Sequence, residues 1–330
     1  MTNAVKRIGV LTSGGDSPGM NAAIRSVVRS AIYRGIDCVG IRRGFHGLIN
    51  GDFIRLDENS VNHIINRGGT MLYTARSEEF RTPEGQKRAA ATCKLLGLDG
   101  IVGIGGDGTF RGLREFSKQG ISVVGLPATI DNDIVCTDYT IGYDTAANTA
   151  VEAIDRLRDT MQSHERCSVV EVMGRNAGHL ALYVGLATGA TSVLVPEQQF
   201  DFERDVVECI RGARLSGKTH YMIIVAEGAG SAIEIGQKIH AAVGLDPRVT
   251  ILGHVQRGGV PTARDRVMAT RMAYQAVKVL AEGGTNRLIC SQNGTLTDID
   301  IEAGLSMKKG LNAQQYEVLQ AMTGLEIEGK

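Results

Sequence analysis

Short apolar runs that end in glycine and polar residues recur along the chain. The run Arg7–Thr12 stops at SGGD, and the run Ile101–Ile104 stops at GGDGT. After the first run, the apolar residues from Ile24 to Ile32 have the spacing of an amphipathic helix, which Gly35 ends. Strand, glycine turn, helix and strand make a βαβ unit, so the pattern predicts an α/β fold with parallel sheets.

The same pattern predicts the elements of both halves of the chain. The predicted strands are Arg7–Thr12, Asp37–Ile41, Ile101–Ile104, Ile121–Leu126, Cys167–Met173, Thr191–Val195, Tyr221–Ala226 and Thr250–Leu252. Further helices are predicted at Lys87–Leu96 and Thr145–His164. Residues 42–80 read as a loop-rich stretch, and the polar tail Asp300–Lys330 gives no assignment. Because single cores stop growing at roughly 250–300 residues, 330 residues predict two domains.

Composition and charge narrow the class of protein. The 36 basic and 36 acidic residues leave no net charge at pH 7, which argues against a nucleic-acid or acidic-membrane partner. The six cysteines are dispersed without a CxxC pair, so we expect buried, reduced thiols. The N-terminus lacks the apolar segment of a signal peptide, and no run approaches the ~20 residues of a membrane span. These features predict a cytoplasmic protein.

Two polar loops follow neighbouring apolar runs and carry the candidate chemistry. GGDGT contains Asp107, and PATIDND contains Asp131 and Asp133. Ligands bind at the carboxyl ends of parallel strands, so we expect the three carboxylates to converge in one cleft. Glycine turns and a helix N-terminus favour phosphates, and carboxylates beside phosphates require a cation, here Mg²⁺.

Loops of the second half carry cations, one acid and one histidine. Arg175, Glu227, His254 and Arg257 follow strands, while Arg166 precedes one and Arg248 lies in a DPR turn. Taken alone, each of these residues is as often a structural or surface residue as a ligand-binding one. Together they suit a sugar phosphate, because arginines bind phosphate in a fork while Glu and His bind hydroxyls. Two phosphate-binding halves facing across a cleft indicate phosphoryl transfer between two bound molecules.

The motifs TSGGDSPGMNAAIR, GGDGT, PATIDND, VEVMGR and LGHVQRGG occur in this order. Together, over about residues 5–305, they resemble the bacterial-type ATP-dependent 6-phosphofructokinases, the phosphofructokinase A family. GGDGT alone is unspecific, since NAD kinases and diacylglycerol kinases share it. The resemblance implies two Rossmann-like three-layer domains with largely parallel sheets and an active site in the cleft between them. It implies an ATP-binding domain of residues 1–141 and 255–305, and a fructose 6-phosphate-binding domain of residues 142–254 and 306–330.

The implied reaction is transfer of a phosphoryl group from MgATP to the 1-hydroxyl of fructose 6-phosphate, the committed step of glycolysis. By resemblance, Asp131 is the base, Thr129 and Arg175 help to hold the reacting phosphoryl group, Gly14 gives it a backbone N–H, and Arg76 reaches the ATP phosphates. The ATP contacts are Gly14, Arg76, Gly106, Asp107, Gly108 and Thr109, and Asp107, with Asp133 nearby, positions Mg²⁺. The sugar-phosphate contacts are Thr129, Asp131, Arg166, Met173, Gly174, Arg175, Glu227, Arg248, His254 and Arg257. Arg166 and Arg248 match residues that reach in from a neighbouring subunit, which implies a homotetramer.

Two alternatives remain open at this point. Pyrophosphate-dependent relatives typically carry Asp where Gly108 stands and Lys where Ala128 stands. An Asp at 108 would intrude on the α-phosphate of ATP, so the small residues at both positions favour ATP. The second alternative is a non-catalytic nucleotide sensor, against which every catalytic position that we can name holds a competent residue.

The resemblance also implies an allosteric site for ADP and phosphoenolpyruvate between subunits. The matching cations are Arg25, Arg29, Arg158 and Lys218. Glu58 stands where a third effector arginine is usual, Thr191 where an acid is usual and Ser216 where a lysine is usual. We therefore expect a reduced or altered response to these effectors.

Overall fold

The computed structural model describes residues 5–307 and 309–323. Contacts divide the chain into two units. The first comprises the described residues up to Ile130, Ile134–Thr145 and Arg257–Lys309; the second comprises Asp131–Asp133, Ala146–Gln256 and the described residues from Gly310. The sequence put the boundaries at 141/142, 254/255 and 305/306, whereas contacts put the corresponding ones at 145/146, 256/257 and 309/310. The assignment of ATP to one domain and the sugar to the other stays a prediction.

The first unit contains a seven-stranded sheet with helices on both faces. Its strands are β1 Arg7–Ser13, β2 Asp37–Ile41, β3 Phe53–Leu56, β4 Gly100–Gly105, β5 Ser122–Pro127, β10 Arg287–Gln292 and β11 Thr295–Asp300, in the order β11-β10-β5-β4-β1-β2-β3. The two edge strands run antiparallel to their neighbours, and the other pairs are parallel. Its helices are α1 Met20–Tyr33, α2 Gly44–Asn50, α3 Pro83–Leu95, α4 Asp107–Ser117, α9 Ala263–Ala281 and α10 Ile301–Ser306.

Alternation along the strands produces two cores in this unit. Ile8 and Val10 of β1 pack with α1 and α9, whereas Leu11 packs with α2, α3 and α4 on the opposite face. The side-chain period of two in a strand directs neighbours to opposite faces. A central strand buried on both faces therefore reads as a continuous apolar run, which is why the sequence located these strands.

The second unit contains a parallel sheet of four strands in the order β7-β8-β6-β9. The strands are β6 Cys167–Val172, β7 Ser192–Leu194, β8 Tyr221–Ala226 and β9 Arg248–Ile251. The helices of the second half are α5 Tyr143–Ser163, which begins in the first unit, α6 His179–Thr188, α7 Cys209–Leu215, α8 Ala232–Val243 and α11 Ala313–Thr323, with a π-helical segment Glu203–Glu208 leading into α7. One core lies between the sheet and α7 and α8, and α6 contacts β7 and β8. The predicted α/β class with largely parallel sheets is confirmed.

Two sequence predictions on this fold need correction or extension. The loop-rich interpretation of residues 42–80 is wrong in part, because GFHGLIN forms α2 and FIRL forms the edge strand β3. The polar tail contains β11, α10 and α11 among its described residues. In the described part of the chain, no helix combines the length and apolar character needed to cross a membrane.

The cysteines are as the sequence predicts. All six are free and buried. Burial raises the pKa of the Cys38, Cys93 and Cys167 thiols to about 12, so these thiols stay protonated and unreactive at pH 7.

Leu113→Ala should destabilise the protein far more than the same change at Leu95. Leu113 is fully buried in α4 and lies against β4, where a Cβ on Gly103 would come within 2.7 Å of it, whereas Leu95 is 87% exposed. Removing a buried leucine side chain costs about 2–5 kcal/mol, while an exposed change stays within about 0.5 kcal/mol. Urea unfolding measures both free energies, and equal losses would contradict the packing described for α4.

Candidate functional site

The carboxyl ends of β1 and β4 meet without room for a side chain. Ser13 and Gly105 are opposite one another in the parallel pair. A Cβ on Gly105 would collide with the Ser13 carbonyl oxygen and the Thr109 hydroxyl. The Thr109 Oγ1 donates to the Ser13 carbonyl at 3.0 Å. The start of α4 is thereby tied to the turn that follows β1.

The N-terminus of α4 is open. Gly106 caps it without a side-chain hydrogen bond, and Gly108 is exposed. A Cβ on Gly108 would meet nothing within 4 Å, and one on Gly106 would meet only the Thr129 Cβ at 3.9 Å. The first N–H groups of a helix have no partner within the helix, and the helix dipole favours anions there. This end of α4 therefore has both the space and the donors for phosphate oxygens.

Asp107, the predicted metal ligand, pairs with Arg111 of the same helix at 2.9 Å, and both side chains are about half exposed. In residues 5–307 and 309–323, no three His, Cys, Asp or Glu side chains form a group that could hold a metal ion. The described residues therefore show no metal site built from three carboxylates, and the convergence of Asp107, Asp131 and Asp133 in one cleft stays a prediction. A Mg²⁺ ion held by one carboxylate and by substrate phosphates remains compatible with Asp107, because Mg²⁺ commonly binds in that way.

The loop after β5 carries Thr129 and Asp131. Both residues are buried, with 9% and 6% of their surface exposed. The Ile141 N–H donates to the Pro127 carbonyl at 2.9 Å, and the Thr140 hydroxyl donates to the Thr129 carbonyl at 2.7 Å. The backbone just before Asp131 is thus held from residues ten or more positions later in the chain.

The glycine turn after β1 lies beside Arg257. Gly14 has φ +86°, and its carbonyl accepts the Thr74 hydroxyl at 2.6 Å. The Arg257 Nη1 donates to the Asp16 carbonyl at 3.3 Å and lies where a Cβ on Gly15 would come within 2.6 Å. Arg257, predicted to bind the sugar phosphate, therefore contacts the glycine turn of the first unit.

Arg76 lies further along the same unit. Its side chain is exposed and makes no ion pair with any described residue. A cation in this state is available for a phosphate.

In the second unit, β6 ends in a turn with two unusual backbone conformations. Gly174 has φ +143° and Arg175 has φ +58°. The Glu227 Oε1 accepts the N–H groups of both residues, at 3.2 and 2.6 Å. Non-glycine residues rarely adopt positive φ, and such a conformation persists only where the surrounding structure holds it. Glu227, predicted to bind a sugar hydroxyl, uses one oxygen to hold the turn that presents Arg175.

Gln256 is a residue of this region that the sequence reasoning missed. It is fully buried, and its Oε1 accepts the Met173 N–H at 2.9 Å. Its Nε2 has no hydrogen-bond partner among the described residues. The signal was available, because Gln256 lies within the motif GHVQRGG and hydrophilic residues are seldom buried without a role.

The other predicted sugar contacts of the second unit divide between the two ends of its sheet. Met173–Arg175, Glu227 and the exposed His254 follow the carboxyl ends of β6, β8 and β9. Arg166 immediately precedes β6, and Arg248 begins β9, where it pairs with Asp246 at 3.4 Å. Six strand residues span roughly 20 Å, so a single chain does not bring these two arginines to the other group.

The residues predicted to bind an effector lie in both units. In the first, Arg29 of α1 pairs with Glu58 at 2.8 Å, and Arg25 is one helical turn earlier. In the second, the Arg158 guanidinium donates to the Thr188 carbonyl, and Lys218 is exposed. Two hydroxyl positions there are occupied by internal contacts: the Thr191 Oγ1 accepts the Met222 N–H at 3.1 Å and the Ser216 Oγ donates to the Ala213 carbonyl at 2.9 Å.

Comparison with known proteins identifies the family. A sequence profile described as Phosphofructokinase matches residues 7–280. The chain belongs to the phosphofructokinase family. It is 51% identical over 314 residues to an ATP-dependent 6-phosphofructokinase of Clostridium botulinum, covering 95% of this chain and 98% of that protein. It is also 51% identical over 318 residues to ATP-dependent 6-phosphofructokinase 1 of Clostridium perfringens, covering 96% of this chain and 99% of that one.

Solved structures of the family have the same fold. A phosphofructokinase of Saccharomyces cerevisiae is 35% identical with a TM-score of 0.86; the match covers 97% of this chain and 47% of that one. A pyrophosphate-dependent phosphofructokinase of Marinobacter aquaeolei is 19% identical with a TM-score of 0.84, over 97% of this chain and 92% of that one. At that identity the likeness concerns the fold alone.

Proposed function

We propose that this chain transfers the terminal phosphoryl group of ATP to the 1-hydroxyl of fructose 6-phosphate, giving fructose 1,6-bisphosphate and ADP. It is then a phosphotransferase with an alcohol acceptor, a kinase of glycolysis. The 51% identity to two relatives named for the ATP-dependent activity, over nearly their whole length, carries the proposal. The small residues Gly108 and Ala128 support ATP over pyrophosphate as the donor.

The first unit supplies the groups for ATP. The backbone at the start of α4, from Gly106 to Thr109, surrounds phosphate oxygens in the open space beside Gly108, with the Thr109 N–H donating to the Gly106 carbonyl at 2.9 Å. Gly14 adds a backbone N–H, and Arg76 adds a cation that no described residue neutralises. Such fixed donors stabilise charge on the phosphoryl oxygens and need no rearrangement during the reaction.

Asp107 is the residue that holds Mg²⁺ together with the ATP phosphates. When bound, the ion neutralises charge that develops on the phosphate oxygens. The ion pair of Asp107 with Arg111 is exposed, and exposed pairs contribute only about 0–1 kcal/mol. Asp107 therefore exchanges Arg111 for a cation at little cost.

Asp131 is the general base that accepts the proton of the sugar hydroxyl. Thr129 and Arg175 help to hold the reacting phosphoryl group. Met173, Gly174, Glu227, His254 and Arg257 bind the sugar phosphate. The turn held by Glu227 and Gln256 keeps Arg175 in a fixed backbone conformation, which reduces the entropy lost on binding.

Arg166 and Arg248 bind the sugar phosphate of a neighbouring subunit. Their position at the amino ends of β6 and β9 supports this, since the other sugar contacts follow the carboxyl ends. The assembly is a homotetramer, and six free, buried cysteines suit a reducing cytoplasm. The response to ADP and phosphoenolpyruvate is reduced or altered, because Glu58, 2.8 Å from Arg29, adds a negative charge that repels an effector anion.

A coupled assay that offers each phosphoryl donor separately tests the function. We expect turnover of fructose 6-phosphate with MgATP, loss of turnover when EDTA removes Mg²⁺, and no turnover with pyrophosphate.

Gly108→Asp should lower kcat/KM for ATP by more than about tenfold, because the new carboxylate occupies the space for the phosphate groups and repels their negative charge. Gly212→Asp, at a second helical glycine with nothing within 4 Å of its Cβ, is the matched control and should leave activity unchanged. Turnover with pyrophosphate alone would overturn the choice of donor.

Asp131→Ser should lower kcat by about 10²–10⁴-fold, the usual contribution of a general base. The KM for fructose 6-phosphate should change little, because the phosphate contacts remain. Asp155→Ser, at an exposed position of α5, serves as the control. Activity that survives the change at Asp131 would show that the base is another group.

Wild-type saturation curves for fructose 6-phosphate should shift little with ADP or phosphoenolpyruvate. Glu58→Ala frees Arg29 for an anion and should strengthen the response to either effector. Glu152→Ala removes a comparable exposed Glu–Arg pair in α5 and should not. Strong activation of the wild type by ADP is the result that our interpretation of Glu58 does not allow.

A further inference from the structure

We infer that the buried carboxylate of Asp265 is a positioning residue for the proposed phosphoryl transfer. It joins the loop that carries Thr129 to the loop Ser17–Gly19, which continues the glycine turn after β1 into α1. The inference rests on the proposed function of those two loops. All contacts that support it lie within the first unit.

Asp265 lies in the first turn of α9 and is fully buried. Its Oδ1 accepts the Gly142 N–H at 2.7 Å and the Tyr139 hydroxyl, and its Oδ2 accepts the Thr145 N–H at 2.9 Å and the Thr145 hydroxyl. Burial raises the pKa of this carboxyl, and the hydrogen bonds from Thr145, Tyr139 and Gly142 oppose that rise. One side chain thus accepts four hydrogen bonds from the segment 139–145 and holds it in place.

The segment 139–145 in turn holds the loop that carries Thr129. Ile141 forms a parallel bridge with Ala128, and its N–H donates to the Pro127 carbonyl at 2.9 Å. The Thr140 hydroxyl donates to the Thr129 carbonyl at 2.7 Å. The backbone two residues before Asp131 is therefore set by a segment that Asp265 anchors.

The same segment packs closely against Ser17 and Gly19, which lie between the glycine turn and α1. The Ser17 hydroxyl donates to the Ile141 carbonyl at 3.0 Å. A Cβ on Gly142, which has φ +106°, would lie 2.6 Å from the Ser17 Cβ. A Cβ on Gly19 would lie 2.6 Å from the Ile141 side chain and 3.6 Å from the Asp265 Cβ. A shift of the segment must therefore displace the loop that precedes α1.

Burying a carboxylate costs desolvation free energy, and Asp265 forms no ion pair with any described residue that would offset this cost. Apolar packing could close the same space without burying a charge. Four directional hydrogen bonds supply what apolar packing does not, a fixed backbone position. In catalysis, a displacement of about 1 Å can lower the rate about 10²-fold. A fixed backbone position for the loop that carries Thr129 therefore matters for the rate of phosphoryl transfer.

Asp265→Asn tests the inference in the full-length protein. The amide has one oxygen, so its NH₂ must face the N–H of either Gly142 or Thr145 and leave that donor without an acceptor. We expect kcat to fall by roughly 10–100-fold, while KM for ATP and for fructose 6-phosphate changes by less than about threefold. Amide hydrogen exchange, measured by mass spectrometry on peptides within 127–145, should be faster than in the wild type.

Val277→Ala is the control for a loss of stability alone. Val277 is fully buried on the same helix but belongs to the core beneath the sheet. Assayed well below the melting temperature, it should keep the wild-type kcat and the wild-type exchange in 127–145. If Asp265→Asn does not fold, Tyr139→Phe removes a single donor to the carboxylate and should still lower kcat and speed exchange, by less.

Wild-type kcat in a folded Asp265→Asn or Tyr139→Phe variant would overturn the inference. So would an equal loss of kcat in Val277→Ala. A wild-type protein without turnover of fructose 6-phosphate would instead defeat the proposed function. In that case the exchange rates in 127–145 still decide whether Asp265 fixes the loop.

Discussion

The contact between the ends of β1 and β4 determines where the first turn of α4 lies. Because Gly105 has no side chain, the Ser13 carbonyl and the Thr109 hydroxyl approach closely enough to bond to each other. The start of α4 is then fixed relative to the turn at Gly14. Any residue larger than glycine would separate the strands at the end where parallel sheets place their ligands.

In the second unit, side-chain acceptors and not a glycine contact hold the turn at the end of a strand. There the turn after β6 contains Arg175 in a left-handed conformation, which glycine adopts far more easily. Two side chains from other parts of the chain hold this turn: Glu227 accepts the N–H groups of Gly174 and Arg175, and Gln256 accepts that of Met173. An arginine is retained at this position at the expense of backbone strain, which the hydrogen bonds to the exposed Glu227 and the buried Gln256 offset.

The sequence predicted the central strands closely, since a strand buried on both faces is a continuous apolar run. Tyr221–Ala226 was predicted with the bounds that the structure has. Amphipathic edge strands gave a weaker signal: TLTDID of β11 alternates apolar and polar residues, and α2 is only seven residues with two glycines. The helix α9 was missed although Met272, Ala276 and Leu280 lie at helical spacing on its buried face.

The site was predictable where a motif names the residue and not where tertiary contacts decide. The resemblance supplied positions such as Arg175 and Glu227, but not that one stabilises the backbone of the other. Asp265 lies outside every motif that the sequence singled out, because its partners at 139–145 are about 120 positions away in the chain. The pairing of Asp107 with Arg111 follows from i,i+4 spacing and could have been read from the sequence.

The interrupted layout of the two units has a consequence for synthesis on the ribosome. The core between the first sheet and α1 is completed by α9, and β10 lies beside β5, so residues beyond 257 are needed to finish a unit that begins at the N-terminus. Domains usually fold as they emerge, N-terminal first. Here the first unit cannot complete its core until α9 is synthesised, so the apolar face of α1 stays partly exposed while the whole second sheet is translated. A nascent chain that stalls within the second unit would leave exposed apolar surface for chaperones to bind.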